Sequence, residues 1–374
     1  MEKRSVPTFP HVAVNADTLA GGFHHAAIGC YEQGLRVQTP KHREGLPLGY
    51  DAHVTVTISD PLAEPLIHRV GLSEDPRGVV QYVLEVTHGI HDHWKKDPDN
   101  PDDLRWGYTY HERFDSQIPF ALAKIKDDFQ KKGRATGRDY FFTIWRPEED
   151  SILDQPDPPC FQNGQFRLIN EDSEDPNSQL FLHYLTHWRS RDGIKAWNEN
   201  NLAQVKIQGL MAQKLSNMLE REVQVGSYTD TSNSWHIYGA YVPEGIEESI
   251  RAMKKETREE GINIFNEISR GVPLIGPVNM TFSSQATQEA SRICPEKFAM
   301  DLGSYLYAGG GEEYLKRVVA AQLDAENQGH GQNLGETELI GLGYDLEDFS
   351  YPKDWDSWPK EWDQEPDPAL LRGS

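Results

Sequence analysis

The sequence predicts an α+β fold, in which a mixed β-sheet packs with a long central helix and flanking helices. Stretches that alternate apolar and polar residues, as strands do, are mixed along the chain with stretches of helical spacing. The two kinds do not alternate regularly as βα units, which argues against a doubly wound parallel sheet. The 374 residues contain no internal repeat and suffice for one large domain or two ordinary ones.

The predicted elements begin at residue 51. In chain order they are a strand at 51–59, a helix or buried strand at 79–86, a helix at 118–132, a strand at 139–145, a hairpin of strands 165–170 and 179–189, a helix at 200–219, a strand at 235–242, and helices at 244–259 and 308–326.

Each prediction depends on a local pattern. The strand at 51–59 contains Val-Thr-Val-Thr-Ile with period two, and the strand at 139–145 is rich in aromatic residues. The helix at 118–132 spaces apolar residues at helical intervals among lysines and aspartates. An acidic, proline-containing turn joins the hairpin strands, and the density of Pro, Asp and Asn at 95–103 predicts a loop. Periodicity does not decide between helix and strand at 79–86.

Charge and hydropathy exclude some classes of protein. The formal net charge of −22 argues against a general nucleic-acid-binding surface, because such surfaces neutralise phosphates with Lys and Arg. A mononucleotide needs only a few local arginines and remains compatible. No apolar run approaches membrane-spanning length, and the N-terminus lacks the apolar core of a signal peptide. We therefore expect a soluble, cytoplasmic protein.

One of the three cysteines has an unusual setting. Cys30, Cys160 and Cys294 are widely spaced, which fits neither a disulfide framework nor a CxxC metal pattern, so we expect no metal site. Cys30 and Cys294 are interpreted as small buried hydrophobes, the usual role of a free cysteine. Cys160 differs because it follows Pro158-Pro159, and each proline favours an extended approach that can hold a thiol at a strand start.

A phosphate-binding pair follows this cysteine in the chain. Arg189 offers a guanidinium fork and Ser190 a hydroxyl, and both groups suit a phosphate monoester. Together with Cys160 they predict a nucleophilic thiol that acts on a phosphorylated small molecule.

The order of these residues resembles a known family. Trp145, Pro159-Cys160, Gln165, Arg189-Ser190-x-Asp192, Asn200 or Asn201, and His236-x-Tyr238 follow the order typical of the thymidylate synthase superfamily, which includes pyrimidine nucleotide hydroxymethylases. The resemblance covers roughly residues 80–245. It implies a thymidylate synthase-like catalytic core at 1–245 with a diverged N-terminal part. Residues 246–374 would form a helical extension, with an acidic Trp-rich tail, that packs on the same domain.

The resemblance implies covalent catalysis on a pyrimidine nucleoside monophosphate. Cys160 would add to C6, after which C5 would attack the one-carbon unit of 5,10-methylenetetrahydrofolate. A thiolate is a good nucleophile once its pKa is lowered, and nearby arginines lower it. Glu85 matches the glutamate that organises water and proton transfers in the family, and Tyr108 completes the implied catalytic set.

The resemblance also implies binding roles. The implied nucleotide-binding residues are Arg189, Ser190, Arg138, Arg43, Gln165, Asn200, Asn201, His236 and Tyr238, and the implied folate-binding residues are Asp192 and Trp94. Family members are homodimers with shared active sites, so Arg138 would come from the partner subunit. The base stays open, because the asparagine that reads it is ambiguous by one residue. An amide suits uracil, whereas a carboxylate such as the adjacent Glu199 would suit cytosine.

Three departures from the synthase pattern favour a hydroxymethyl product. Phe161 stands where synthases have His, Asp139 follows Arg138 where they have a second arginine, and the C-terminal end is long and acidic. Water reaching the exocyclic methylene gives hydroxymethyl, whereas hydride from the folate gives methyl. Trp94 favours the synthase, because it matches a family tryptophan that shields the methylene intermediate from water. We predict hydroxymethylation of CMP, as in nucleoside-antibiotic pathways, or of dCMP or dUMP. The alternatives are reductive methylation of dUMP and a non-catalytic nucleotide-binding protein.

Overall fold

The computed structural model describes two compact units. The first comprises Met1–Ser73, Glu112–Leu274 and Lys360–Ser374, and the second comprises Glu74–His111 and Ile275–Pro359. The described residues are 8–38, 45–63, 65–71, 76–89, 92, 95, 107–152, 158–260, 271–272, 320–321, 324–325, 327–330, 341–344 and 358–363. The predicted boundary near residue 245 stays a prediction.

The described elements alternate irregularly between strands and helices. In chain order they are β1 (His11–Ala16), α1 (Leu19–Gln33), β2 (Leu35–Val37), β3 (Gly49–Ile58), β4 (Ile67–His68), α2 (Pro76–His88), α3 (Tyr110–Phe114), α4 (Ile118–Lys132), β5 (Phe141–Thr143), α5 (Pro147–Asp150), β6 (Phe161–Asn170), β7 (Leu180–Trp188), β8 (Arg191–Asp192), α6 (Trp197–Leu219), β9 (Val223–Ile237), α7 (Ile246–Glu260) and β10 (Gly271–Val272).

The first unit is built on a mixed sheet. Within the described residues its strand order is β1-β3-β9-β7-β6-β5, with β2 also paired to β3 and β8 to β9. β1 runs parallel to β3, and β9 runs parallel to both β7 and β8, while the remaining pairs of this sheet are antiparallel. Helices flank the sheet, and α6 is the long central helix. The predicted α+β class with a mixed sheet and flanking helices is therefore confirmed.

Local sequence explains the best-predicted elements. β3 buries Val54, Val56 and Ile58 and turns the intervening threonines outward, as its period-two pattern predicts. α4 has a proline in its first turn, and Gly133 ends it in the left-handed conformation with φ of 67°. Its predicted bounds, 118–132, are those observed. The predicted hairpin is β6 and β7, which pair in antiparallel register.

Other elements differ from the prediction. The strand predicted at 235–242 is confirmed only at 235–237, because β9 occupies Val223–Ile237 and a 3-10 turn at Gly239–Tyr241 follows it. The strand predicted at 139–145 is shorter, at Phe141–Thr143. Residues 79–86 are helical, within α2. The N-terminal β1, α1 and β2 were not predicted. Most of the predicted helix at 308–326, and of the loop at 95–103, lies outside the described residues.

The described part of the chain was also searched for membrane spans and metal sites. Its helices include none long and apolar enough to cross a membrane. It holds no cluster of three or more His, Cys, Asp or Glu residues suited to a metal ion.

Candidate active site

Cys160 is held at the start of β6 by Arg189. The Cys160 carbonyl accepts a hydrogen bond from the Arg189 backbone N–H at 2.9 Å. The Arg189 guanidinium donates to the Pro159 carbonyl through Nε at 2.8 Å and to the Pro158 carbonyl through Nη2. The Cys160 side chain is partly exposed, whereas Cys30 is buried. One arginine thus braces the turn that presents the partly exposed thiol.

A buried stack lies directly behind Cys160. Phe161 stacks on Trp188, with 4.5 Å between ring centroids and 23° between ring planes. The Arg191 guanidinium lies 3.5 Å from the centroid of the Trp188 ring, a cation–π geometry. Arg191 also forms an ion pair with Asp230, with 2.8 Å between Nη2 and Oδ1. Phe161, the residue after the candidate nucleophile, is thereby packed into the core rather than turned toward a ligand.

Asp230 is the centre of a polar network inside the first unit. Its carboxylate accepts hydrogen bonds from Arg191, Trp197 (Nε1, 3.2 Å), Thr186 (3.2 Å) and Ser232 (3.4 Å), and the Tyr228 hydroxyl oxygen lies 3.5 Å away. The Asp230 side chain is only 1% exposed. Such a buried charge is tolerated because several donors replace its lost hydration. Sequence reasoning missed this network, since no motif marks its members.

The same network includes one of the two candidate asparagines. The Asn201 Oδ1 accepts a hydrogen bond from the Tyr228 hydroxyl at 2.7 Å, and Asn201 is 0% exposed. Asn200 lies one position earlier on α6, about 100° around the helix, and is 7% exposed. Both side chains are buried, and the Tyr228 hydroxyl holds the oxygen of Asn201.

Asp192 and His236 lie side by side on β8 and β9, which pair in parallel register. The Asp192 Oδ1 accepts from the backbone N–H groups of Ile194 and Lys195, both at 3.0 Å. Its Oδ2 accepts from the Tyr241 hydroxyl at 2.5 Å. Burial, followed by the charge of Asp192, raises the pKa of Tyr241. Tyr241 therefore stays protonated and acts as a donor that fixes the Asp192 carboxylate.

Aromatic rings connect His236 to the same carboxylate. The Tyr238 ring lies edge-on to His236, with 4.5 Å between centroids, and edge-on to Tyr241, with 5.6 Å between centroids. Tyr238 stands one residue beyond the end of β9, so period-two alternation does not by itself place it beside His236. Gly193 allows the close approach here, because a Cβ at this position would lie 2.4 Å from Trp235 ring atoms.

A cleft of about 220 Å³ is lined by Tyr241, whose hydroxyl donates to Asp192. Ile194, Ile246 and the Tyr241 ring give it an apolar wall, and Lys195 and Glu244 supply charges. The Lys195 ammonium lies 4.5 Å from the Tyr241 ring centroid and 3.7 Å from the Glu244 carboxylate. A flat ring with polar edges suits such a cleft better than a small anion does.

Arg138 and Gln165 are distant from the Cys160 of the same subunit. The Gln165 side-chain amide donates to the Arg138 backbone carbonyl, and the Arg138 side chain is exposed before β5. Gln165 stands five positions after Cys160, which at about 3.3 Å per strand residue is roughly 17 Å. Arg138 therefore does not reach the Cys160 of its own chain at this register. Ser190, unlike Arg138 and Gln165, is close in sequence to a residue that bonds to Cys160. It directly follows Arg189, between β7 and β8.

The remaining candidates belong to the second unit or lie outside the described residues. Glu85 is on α2, and the Tyr108 ring lies 5.9 Å from that of Tyr110. Arg43 and Trp94 lie outside the described residues.

The second unit contains a His–Asp pair that the sequence analysis did not identify. His111 Nδ1 lies 2.6 Å from Asp92 Oδ2, and the Thr109 hydroxyl donates to the other oxygen. Gly89 lies against this pair with φ of 62°, and a Cβ there would lie 2.3 Å from the His111 ring. Burial opposes ionisation of Asp92, but the bonds and charge of His111 outweigh it and hold the pKa of Asp92 below its usual range.

This pair predicts a pH dependence of stability. A carboxylate with a depressed folded pKa adds stability above its unfolded pKa, near 3.9, and that stability is lost as pH falls through the folded pKa. We expect Asp92→Asn to reduce the loss of melting temperature between pH 6 and pH 3. The measurement is thermal unfolding of the wild type and the variant at both pH values. An identical loss in the two proteins would contradict the assignment.

Comparison with known proteins finds likenesses among solved structures. No protein-family model matches the chain, and no curated protein sequence matches it. Among solved structures the chain is similar to the thermostable thymidylate synthase A from Bacillus subtilis, with a TM-score of 0.42 and 14% sequence identity. The likeness covers 63% of this chain and 84% of that chain. The functional proposal below therefore depends on the geometry of the site.

Proposed function

We propose that the chain transfers a one-carbon unit from a folate to C5 of a pyrimidine nucleoside monophosphate, with hydroxymethylation of CMP as the favoured reaction. One observation carries the proposal. Cys160 and Arg189 lie together at the end of the β6–β7 pair, where β6 begins and β7 ends. Asp192 and His236 lie together where β8 pairs with β9. A thiol nucleophile, a phosphate binder, a ring-binding carboxylate and a hydroxyl binder are the groups this reaction needs.

The phosphate would bind at Arg189 and Ser190. The bonds from Arg189 to the Pro158 and Pro159 carbonyls use Nε and Nη2, so Nη1 is available to a phosphate oxygen. Because the same guanidinium braces the Cys160 turn, phosphate binding would fix the distance between the nucleotide and the thiol. A preset distance of this kind lowers the entropic part of the barrier.

Cys160 would supply the chemistry at the base. Its thiolate forms a bond to C6, and the electron pair of the C5–C6 double bond makes C5 nucleophilic. C5 would bond to the one-carbon unit and lose its proton, and cleavage of the bond between that carbon and the folate nitrogen would release tetrahydrofolate and leave an exocyclic methylene on the Cys160 adduct. Water would then add to the methylene while the Cys160–C6 bond breaks, which gives the hydroxymethyl product and regenerates the thiolate. Methylenetetrahydrofolate supplies carbon at the oxidation level of formaldehyde. The cleft lined by Tyr241 would hold its ring, with the Asp192 carboxylate accepting ring N–H bonds.

Reductive methylation of dUMP is the second candidate function. Base reading by Asn200 or Asn201 favours it, because an amide that donates to O4 and accepts from N3–H matches the edge of uracil. A flipped amide also pairs with cytosine. Contacts of the base-reading asparagine, Asn200 or Asn201, would therefore decide the base preference, which a direct assay measures.

The test is incubation with methylenetetrahydrofolate and each of CMP, dCMP, UMP and dUMP, with products identified by mass. Addition of CH₂O to CMP is the expected result. Addition of CH₂ to dUMP with formation of dihydrofolate would support the second candidate instead. No product from any nucleotide would contradict one-carbon transfer.

A shared active site predicts complementation between two inactive variants. If Arg138 acts across a homodimer, mixing Arg138→Ala with Cys160→Ala generates hybrid dimers that each hold one intact site. Random exchange makes half of the dimers hybrid, so about one quarter of wild-type activity is expected. The measurement is specific activity after subunit exchange under mild denaturant. A mixture of the single variants Cys160→Ala and Arg189→Ala, treated in the same way, is the control. Both residues come from the same subunit of each site, so no recovery is expected. Absence of recovery in the first mixture would contradict a site shared through Arg138.

A further inference from the structure

The large sheet of the first unit has two chemically different faces. Helix α6 packs on one of them, where Asn201 bonds to the Tyr228 hydroxyl and Gln204 accepts from the Tyr184 hydroxyl. Side chains alternate along a strand, so the residues between these positions belong to the opposite face. We call this the outer face of the sheet. One row that crosses it from β6 to β1 consists of Asn163, His187, Thr231, Thr55 and Ala13.

The outer face carries almost no fixed charge, although the chain has 59 Asp and Glu residues and a net charge of −22. On the described strands that form it, the only carboxylate is the half-buried Asp51 at one end of β3, and Arg167 on β6 supplies one positive charge. Leu185 and Ile169 are 38% and 43% exposed on this face. Two copies of so acidic a chain repel each other, and this neutral face is where they would meet with the least repulsion.

The size of the outer face also suits a second copy. Strands β3, β6 and β7 have nine or ten residues. Five strands about 4.8 Å apart and about 30 Å long present roughly 700 Å², close to the roughly 800 Å² per partner of a stable interface. A dimer is what the proposed function requires if Arg138 acts in the partner's site, and this part of the argument rests on that proposal. Gln165, on the outer face, bonds to the Arg138 carbonyl.

Three histidines form a row at one end of the outer face. The rings of His11 and His53 lie 4.8 Å apart between centroids. His187 Nε2 lies 3.0 Å from the side-chain oxygen of Asn233, which stands in the irregular part of β9 opposite His53. Burial, followed by the charges of His11 and His187, lowers the pKa of His53. His53 is therefore neutral at pH 7.5, and each proton taken up by one ring opposes protonation of the next.

The other titratable groups on these strands do not stabilise a charged row. His183 on β7 stands opposite Arg167 on β6. Burial, followed by the charge of Arg167, lowers the pKa of His183, whose Nδ1 accepts from the Ser227 backbone N–H at 3.0 Å. Asp51 lies opposite His236, and burial raises the pKa of Asp51. Among the described residues, no carboxylate forms an ion pair with His11, His53 or His187.

We propose that the row of His11, His53 and His187 makes the outer face an acid-sensitive interface, through which two copies of this chain associate while the rings are neutral and separate when the rings take up protons. In a twofold interface each patch occurs twice, so every proton adds a charge to both copies. Burial of unpaired charge is costly. The free subunit therefore binds more protons than the dimer, and the dimer weakens as pH falls.

The expected direction is opposite to the general effect of acid on this chain. Protons taken up elsewhere reduce the net negative charge, which by itself would favour association. Dissociation on acidification is therefore a specific sign of the histidine row.

Sedimentation velocity of the full chain at pH 7.5 and pH 5.0 tests the row. If one histidine per subunit is neutral in the dimer and charged in the free subunit, the dissociation constant should rise by about 100-fold or more. The triple variant His11→Gln, His53→Gln and His187→Gln is expected to remain dimeric at pH 5.0. His330→Gln, an exposed position in the second unit, should dissociate like the wild type. Circular dichroism at each pH separates dissociation from unfolding. A wild-type dimer that changes by less than tenfold, or a triple variant that still dissociates, would overturn the role of the row.

A pair of matched leucine variants tests the location of the interface. Leu185→Asp adds a charge to the middle of the outer face and is expected to be monomeric and folded at pH 7.5, because this side chain is already partly exposed. Leu62 is 44% exposed beside Gly209 of α6, away from the outer face, so Leu62→Asp should remain dimeric. A dimeric Leu185→Asp protein would place the contact elsewhere and overturn the proposal, as would a monomeric wild type.

These measurements need no nucleotide, which separates the interface from the proposed function. An acid-sensitive dimer that forms no product with any nucleotide would contradict the proposed function and support the interface. A monomer that forms product would contradict the interface and leave one-carbon transfer supported.

Discussion

Replacing Cys160 with alanine is expected to abolish product formation while nucleotide binding remains. Removal of a covalent nucleophile eliminates the pathway through the C6 adduct, so turnover should fall by about 10³-fold or more. Phosphate binding should persist, because Arg189 bonds to the carbonyls of Pro158 and Pro159 and to the backbone of residue 160, not to the thiol. The measurements are turnover with the reactive nucleotide and its affinity by titration calorimetry.

Cys30 provides a matched control. It is 0% exposed on α1, its thiol donates to the Trp235 carbonyl at 3.3 Å, and burial raises the pKa of that thiol. A buried, protonated thiol is a poor nucleophile. Cys30→Ala is therefore expected to keep its activity, with a loss of stability of about 1 kcal/mol from the lost buried hydrogen bond. Retention of more than about a tenth of wild-type turnover by Cys160→Ala would contradict nucleophilic catalysis at this residue.

Replacing Asp230 with alanine is expected to cause the largest loss of stability among single substitutions in the polar network. Removal of one member of a buried ion pair leaves the other charge uncompensated, at a cost of about 3–5 kcal/mol. In Asp230→Ala the Arg191 guanidinium loses its carboxylate partner, and the Trp197 indole and Thr186 hydroxyl lose an acceptor. The measurement is the free energy of unfolding of the first unit in urea.

Two further variants test whether burial is the cause. Asp139→Ala breaks an ion pair with Lys124 in which both side chains are about half exposed or more, and its effect should stay below about 1 kcal/mol. The double variant Arg191→Met with Asp230→Leu removes both charges and should be less destabilised than Asp230→Ala alone. An Asp230→Ala protein within about 1 kcal/mol of the wild type would contradict the role of the network.

The two predictions also separate a loss of catalysis from a loss of stability. Cys160 and Asp230 are linked by one line of contacts, from Phe161 through Trp188 to Arg191. Loss of the thiol should change turnover without changing stability, whereas loss of the carboxylate should change stability first. Any loss of activity in Asp230→Ala should then follow the fraction of folded protein.

Sequence patterns predicted elements that bury one apolar face. The helix at Ile118–Lys132 and the hairpin of β6 and β7 have apolar residues at the spacing of their own secondary structure, and a proline or glycine marks their ends or turns. The first four-fifths of β9, residues 223–234, escaped prediction for the opposite reason. Its buried positions include Tyr228, Asp230 and Ser232, which are polar residues, and only partners distant in sequence make their burial favourable.

The candidate site also has some features that the sequence predicted and others that it did not. The sequence alone determined the types and order of the reactive residues: a cysteine after two prolines, an Arg-Ser pair, and a histidine and tyrosine separated by one residue. Only the tertiary structure decided which of two adjacent asparagines bonds to Tyr228, since one residue step turns a helix by about 100°. It also decided that Asp51, far from any motif, lies opposite His236. The physical reason is that residue chemistry is local, whereas burial and hydrogen-bond partners depend on which strands and helices meet.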